Sequence, residues 1–214
     1  MTSSDGVDDE KRATLRRFAA VGASTPLAGL STTASAESGD SDARDAITGY
    51  LSTTPGAHFS KIRDDLQLGT GETQHHLRRL EDADTIEQYS DGDYKRFVLA
   101  DRFDEFEKQA LGYLRRETPR GMLVELLANP DATAGDLAEA LSVSAPTVSK
   151  YAGELEEAGL LSREGGYTVE RPTTVLLLVV RHADSFDERA TQVAHNADQY
   201  LNYDAELDTD PNTV

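Results

Sequence analysis

Residues 59–86 read FSKIRDDLQLGTGETQHHLRRLEDADTI, and residues 134–161 read AGDLAEALSVSAPTVSKYAGELEEAGLL. Laid over one another at an offset of 75 residues, they keep their apolar positions in step: Ile62 meets Leu137, Leu66 meets Leu141, Leu68 meets Val143 and Leu80 meets Leu155. Thr73 meets Val148, Leu77 meets Ala152, and LEDADTI over 80–86 answers LEEAGLL over 155–161. An offset held through two helix-length segments without a gap marks a duplication. Its length is that of a domain, since solenoid repeats run at about 20–50 residues.

Each copy has the same grammar. Asp45–Thr53 places Ile47, Tyr50 and Leu51 at helical spacing, and Pro55-Gly56 stops it. Phe59–Leu66 makes a second short helix, Gly69-Thr70-Gly71 a turn, and Glu72–Ala83 a third helix with Thr73, Leu77 and Leu80 as its core stripe. Ile86–Leu99 then reads as a hairpin around the turn dipeptide Asp91-Gly92. The second copy follows with helices over Gly121–Ala128, Thr133–Leu141 and Ala145–Ala158 and a shorter hairpin through Gly165-Gly166. The expected fold class is mostly α with small β-hairpin wings (α+β).

The string PGAHFSKIRDDLQLGTGETQHHLRRLEDADTI, followed by DGDYKRF, resembles archaeal winged helix-turn-helix regulators in the style of the ArsR and MarR families. The second copy, DLAEALSVSAPTVSKYAGELEEAGLLSREGGYTV, is similar to the same broad group. The resemblance implies tandem winged-helix domains whose third helix enters the major groove of duplex DNA while the wing touches the backbone or minor groove. The first copy departs from the family pattern at Asp84-Thr85, where Gly and an apolar residue are usual, which leaves its hairpin geometry open.

The residues agree with that implication. With Thr73, Leu77 and Leu80 turned inward, Gly71, Gln74, His75 and Arg78 share the opposite face at i, i+3, i+4 and i+7. Gln can pair with adenine, and Arg with guanine, through two hydrogen bonds each. Thr70 in the turn before this helix is a further candidate contact, Arg79 flanks the stripe within reach of phosphate, and one of Lys95 and Arg96 on the wing's second strand should face the DNA backbone. The matching stripe of the second copy is Pro146, Ser149, Lys150 and Gly153, with Ser144 and Thr147 near the turn. It holds one cation and no wing lysine, so the first copy is expected to be the main reader. The alternative functions are a winged-helix protein-interaction module that leaves DNA alone, and an exported protein.

The export reading comes from the N-terminus. Lys11-Arg12-Ala13-Thr14-Leu15-Arg16-Arg17-Phe18 leads into a mild Ala/Gly/Ser run, interrupted by Pro26 and ending at Ala34-Ser35-Ala36. It resembles a twin-arginine export signal with Lys11 in place of the first arginine. The expected organisation is a disordered or signal-like segment 1–44, a first winged-helix domain 45–101, a linker helix 102–117, a second domain 118–171, a C-terminal helical segment 172–203 suited to dimerisation, and a disordered tail 204–214. Phe103, Phe106, Ala110 and Tyr113 follow helical spacing in the linker, and two helices broken near Ser185 are expected at the C-terminal end. Localisation is expected to be cytoplasmic, with export as the alternative, and a homodimer on double-stranded DNA is the expected assembly.

Composition bounds the rest. The 214 residues carry a formal net charge of −18, with 5 Lys and 16 Arg against 39 acids, and no cysteine. Disulfides, thiolate metal sites and Cys nucleophiles are therefore excluded. Such acidity normally argues against nucleic acid. Abundant Asp with scarce Lys resembles the proteins of salt-in halophilic archaea, however, and in molar KCl the Debye length is only about 3 Å. The longest apolar run, Val175–Val180, is too short to span a membrane. His75-His76, His58, His182 and His195 raise the question of a metal, but neighbouring helical residues point about 100° apart and no HxxxH spacing occurs. No Gly-rich phosphate loop or nucleophile elbow is present. Neither a cofactor nor an enzymatic activity is expected.

Overall fold

The 75-residue offset survives in the backbone. Helices over Phe59–Asp65 and Thr70–Asp82 recur over Ala134–Ala140 and Ala145–Glu157, each boundary displaced by the same interval. The computed structural model describes residues 5–22 and 38–197, and the chain divides into two units, Met1–Phe103 and Asp104–Val214.

Unit 1 runs α1 (Asp5–Gly22), α2 (Ser38–Thr53), β1 (Ala57–His58), α3 (Phe59–Asp65), α4 (Thr70–Asp82), β2 (Ile86–Asp91) and β3 (Tyr94–Leu99). The sheet is antiparallel in the order β1-β3-β2, with Ala57 opposite Phe97, Ile86 opposite Leu99 and Asp91 opposite Tyr94. Ile47, Leu51, Ile62, Leu66, Leu77, Leu80, Ile86 and Phe97 meet in one buried core. At about 1.5–3 kcal/mol for each large side chain removed from water, this nucleus holds the helices in place.

Unit 2 runs α5 (Glu105–Leu114), α6 (Glu117–Ala128), α7 (Ala134–Ala140), α8 (Ala145–Glu157), β4 (Leu161–Ser162), β5 (Thr168–Val169), α9 (Pro172–His182), a 3-10 turn over Ala183–Ser185 and α10 (Glu188–His195). Leu137, Val148, Ala152 and Leu155 are buried, as are their counterparts Ile62, Thr73, Leu77 and Leu80 in unit 1, and Leu160 is buried as well.

Local chemistry explains the shared turns. The N–H of Gly69 donates to the Glu72 carboxylate at 3.0 Å and the Thr73 hydroxyl donates to the Gly69 carbonyl at 2.9 Å, closing the first turn of α4. In unit 2 the Ser144 hydroxyl caps α8 by accepting from the Thr147 N–H at 3.3 Å, and Pro146 sits in the first turn, where its missing N–H costs nothing. Between the paired helices, Gln67 (φ 54°) and Ser142 (φ 53°) both take the left-handed conformation. Beyond α4 and α8, Asp84 (φ 50°) and Gly159 (φ 69°) do so again. The following N–H groups of Thr85 and Leu160 then reach back to the carbonyls of Leu80 and Leu155, both at 2.9 Å, which is the Schellman way of ending a helix. The departure at Asp84-Thr85 thus leaves the hairpin geometry intact, because Asp tolerates this conformation better than most residues with a Cβ.

The structure corrects the sequence reading in two places. Residues 5–22, expected as disordered or signal-like, form a helix that packs on α2, and α2 itself begins at Ser38. Lys11, Leu15 and Phe18 stand at i, i+4 and i+7: Leu15 is 7% exposed, and the Phe18 ring meets Tyr50 edge-on at 5.3 Å. The expected linker helix is α5, which belongs to unit 2 and packs on α6 and α9. The C-terminal helices form as expected, broken at Ala183–Ser185, with Val175, Leu176, Leu178 and Val179 buried inside unit 2 and Leu177 exposed. The expectations for Pro26, Ala34-Ser35-Ala36, residues 198–203 and the tail 204–214 lie outside the described residues.

Candidate nucleic-acid interface

The inward face of α4 is Thr73, His76, Leu77 and Leu80, all buried. Their spacing turns Thr70, Gly71, Gln74, His75, Arg78 and Arg79 outward, and all six are exposed. The hydrogen-bonding heads of Gln74 and Arg78 therefore stand together on the solvent side of a helix anchored by its back. The His75 ring lies edge-on to His76 with centroids 5.3 Å apart, so the two imidazoles do not converge on one point. Among the described residues, no group of three His, Asp or Glu side chains stands close enough to hold a metal ion.

The wing separates its two cations. Opposite Ser90 in the hairpin register, Lys95 is exposed. Arg96, one residue on, points inward and is 3% exposed. There its guanidinium donates to the Asp91 carboxylate and, at 2.9 Å, to the Gly56 carbonyl. Arg96 is thus a buried pin of the wing and is withdrawn from the set of DNA contacts, because strand alternation gives neighbouring cations opposite faces and only the inner one finds Asp91. Tyr94 at the hairpin end, which sequence reading overlooked, is 51% exposed beside Lys95. Alternation would put it on the inner face with Arg96, whose guanidinium lies 5.4 Å from its ring centre, and no sequence signal marked its exposure at the strand end. Lys95 and Arg78 both act on the charge of Glu81, which places a wing cation and a helix cation around one carboxyl. Burial pushes that carboxyl above its ordinary range against the pull of both.

In unit 2, α8 buries Val148, Ala152 and Leu155 and exposes Pro146, Ser149 and Lys150. Ser144 and Thr147 spend their hydroxyls on one another at 2.8 Å in the helix cap. The Lys150 ammonium lies 3.6 Å from Glu154 and 5.0 Å from the centre of the Tyr151 ring. Arg163 at the hairpin is tied to Glu156, its Nε 2.7 Å from the carboxylate. The few cations of this surface are therefore neutralised locally.

A helix-turn-helix with its second helix turned outward and a hairpin beside it, present twice, defines a tandem winged-helix protein. Residues 41–111 match a family model described as an N-terminal HTH domain, and residues 118–171 match the MarR family. The chain thus carries the domains of DNA-binding transcriptional regulators. No curated protein and no solved structure matches the chain. No described helix is long and apolar enough to cross a membrane.

Proposed function

We propose that the chain regulates transcription by reading duplex DNA through α4 of unit 1, with Gln74 and Arg78 on base edges, Thr70, His75 and Arg79 flanking them, and Lys95 on the backbone. The observation that carries this reading is the clean division of α4: every residue of the proposed contact stripe is exposed, while Thr73, His76, Leu77 and Leu80 hold the helix from behind. Ser144, Thr147, Ser149 and Lys150 of unit 2 form the corresponding but weaker surface. The protein acts as a non-enzymatic regulator in the cytoplasm, where the chromosome is. The docking of Leu15 and Phe18 on unit 1 favours this over export of the N-terminal segment. In a halophilic cell, salt shortens the reach of the acidic surface and shifts affinity from charge towards base-edge hydrogen bonds. A homodimer would present two reading helices to a palindromic site; the exposed Leu177 on α9 is the part of the apolar C-terminal segment left for it.

The test is selection of duplex sequences by the purified protein in KCl, followed by binding of the selected duplex to the Gln74→Ala/Arg78→Ala variant. Loss of discrimination between selected and scrambled duplex is expected. Unaltered discrimination would transfer the reading to another surface, and capture of a protein partner with no duplex enrichment would favour the interaction-module alternative. Light scattering at the same salt decides the dimer: a monomeric mass removes it.

A further inference from the structure

We infer that the small sheet of unit 2 holds an open strand slot, shaped to accept an extended, Lys- or Arg-bearing segment of a partner protein as a third strand. The inference is independent of the reading of α4.

The internal repeat brings the slot to light. At the offset of 75, Pro55, Gly56, Ala57 and His58 of unit 1 meet Pro130, Asp131, Ala132 and Thr133 of unit 2. In unit 1 this segment becomes β1. Gly56 takes a left-handed φ of 76°, its N–H donates to the Phe97 carbonyl at 2.9 Å, and Ala57 pairs with Phe97. Asp131 does not take that conformation, which a Cβ disfavours. Instead the Ala132 N–H donates to the Asn129 carbonyl at 3.0 Å and curls the chain into a tight turn. The wing has changed to match. Leu161 pairs with Val169 as Ile86 pairs with Leu99. Tyr167 therefore stands where Phe97 does, and Gly166 replaces the Arg96 whose guanidinium holds the Gly56 carbonyl. The sheet of β4 and β5 has two strands, and residues 130–134 and 163–168 line a cleft of about 590 Å³, the size of a ligand site.

One wall of this cleft is a sheet edge. The Glu170 N–H donates to the Leu160 carbonyl, and antiparallel alternation then turns the main-chain N–H and C=O of Tyr167 and Val169 away from β4. In unit 1 the Phe97 carbonyl, so turned, meets β1. An edge left open in this way pairs with an added strand. Charge selects what that strand carries. Asp131 and Glu164 line the cleft and are exposed, and neither is paired with a cation among the described residues. Arg163, the cation of the lining, is bound to Glu156. The slot thus offers main-chain hydrogen bonds flanked by carboxylates.

The experiment titrates the isotope-labelled full chain in KCl with an end-blocked peptide alternating Lys and Val, read by amide chemical shifts and hydrogen exchange. Shifts and slower exchange are expected at Tyr167 and Val169. Thr168 and Glu170, already turned to β4, should change little, and Phe97 of unit 1 not at all. A peptide alternating Glu and Val, and the Lys/Val peptide with every amide N-methylated, should leave Tyr167 and Val169 as they are. Asp131→Asn/Glu164→Gln should weaken the Lys/Val peptide by about fivefold, the worth of two exposed ion pairs, at the melting temperature of the parent. Unchanged amides at Tyr167 and Val169 would overturn the inference. Shifts spread over the acidic surface and indifferent to N-methylation would do the same, leaving only diffuse charge attraction. Equal protection of both amides by spermidine would also overturn it, making the cleft a site for small cations. None of these outcomes bears on discrimination by Gln74 and Arg78.

Discussion

Units 1 and 2 share a backbone and differ in what they put on it. The paired helices α3–α4 and α7–α8 coincide at an offset of 75 residues, down to the left-handed residues Gln67 and Ser142 and the terminal pair Asp84 and Gly159. Their inward stripes are interchangeable in kind: Thr73, Leu77 and Leu80 against Val148, Ala152 and Leu155. Outward, they diverge. Unit 1 presents Gln74, His75, Arg78 and Arg79 and a six-residue-stranded wing carrying Lys95. Unit 2 presents Pro146, Ser149 and a Lys150 shared with Glu154, beside strands of two residues. Burial constrains one face of each helix, and the other is left to acquire or to lose a contact surface.

The largest expected effect tests the wing. The Asp91 and Arg96 side chains are each 3% exposed, a pair buried on both sides that has no counterpart among the described residues of unit 2. Asp91→Ala leaves the Arg96 charge buried without that carboxylate and should cost about 3–5 kcal/mol in urea unfolding of unit 1. Hydrogen exchange should find the amides of β4 and β5 unaffected. Equal loss in both units would mean that they do not fold as separately as their cores indicate.

Next comes the contact surface. Gln74→Ala and Arg78→Ala should each reduce discrimination for a selected duplex by about 1–3 kcal/mol. Ser149→Ala and Lys150→Ala should leave it unchanged within error. Comparable losses from unit 2 would make the two units equal partners and erase the asymmetry.

A smaller effect concerns the helix ends. Asp84→Gly should raise the stability of unit 1 by about 0.5–1 kcal/mol, since glycine takes the left-handed conformation without a Cβ penalty. Gly159→Ala should lower that of unit 2 by about 1 kcal/mol from strain alone, because a Cβ built there meets nothing within 4 Å. Thermal melting of the two variants reads both signs.

The smallest is a pH effect in unit 1. Burial, with the Arg96 and Lys61 charges, holds His58 below its ordinary value of 6.5, and its Nδ1 accepts from the Lys61 N–H at 3.3 Å as the cap of α3. Because the unfolded chain takes up this proton first, stability should fall as pH drops through about 6.5 towards the folded value. His58→Asn keeps a capping group and should flatten the urea midpoint over that range.

Much of this was legible in the chain because a helix with one buried face announces it by period. Ile62, Leu66, Leu77 and Leu80 placed the core, and their complement placed Gln74 and Arg78 outside. Besides Tyr94, two features escaped. The Lys11, Leu15, Phe18 stripe lay in a segment whose small and basic residues imitate an export signal. The strand β1 is two residues long, too short to show alternation.

Local periodicity, turn dipeptides and the internal offset by themselves determined two winged-helix units and the outward stripe of each third helix, since these depend on neighbours a few residues away. Which wing cation faces the solvent, where α1 docks and which unit owns α5 were decided only in three dimensions. In each case the deciding partner is distant in sequence or equally available to two candidates: Gly56 for Arg96, Glu72 for Lys11, and α9 for α5.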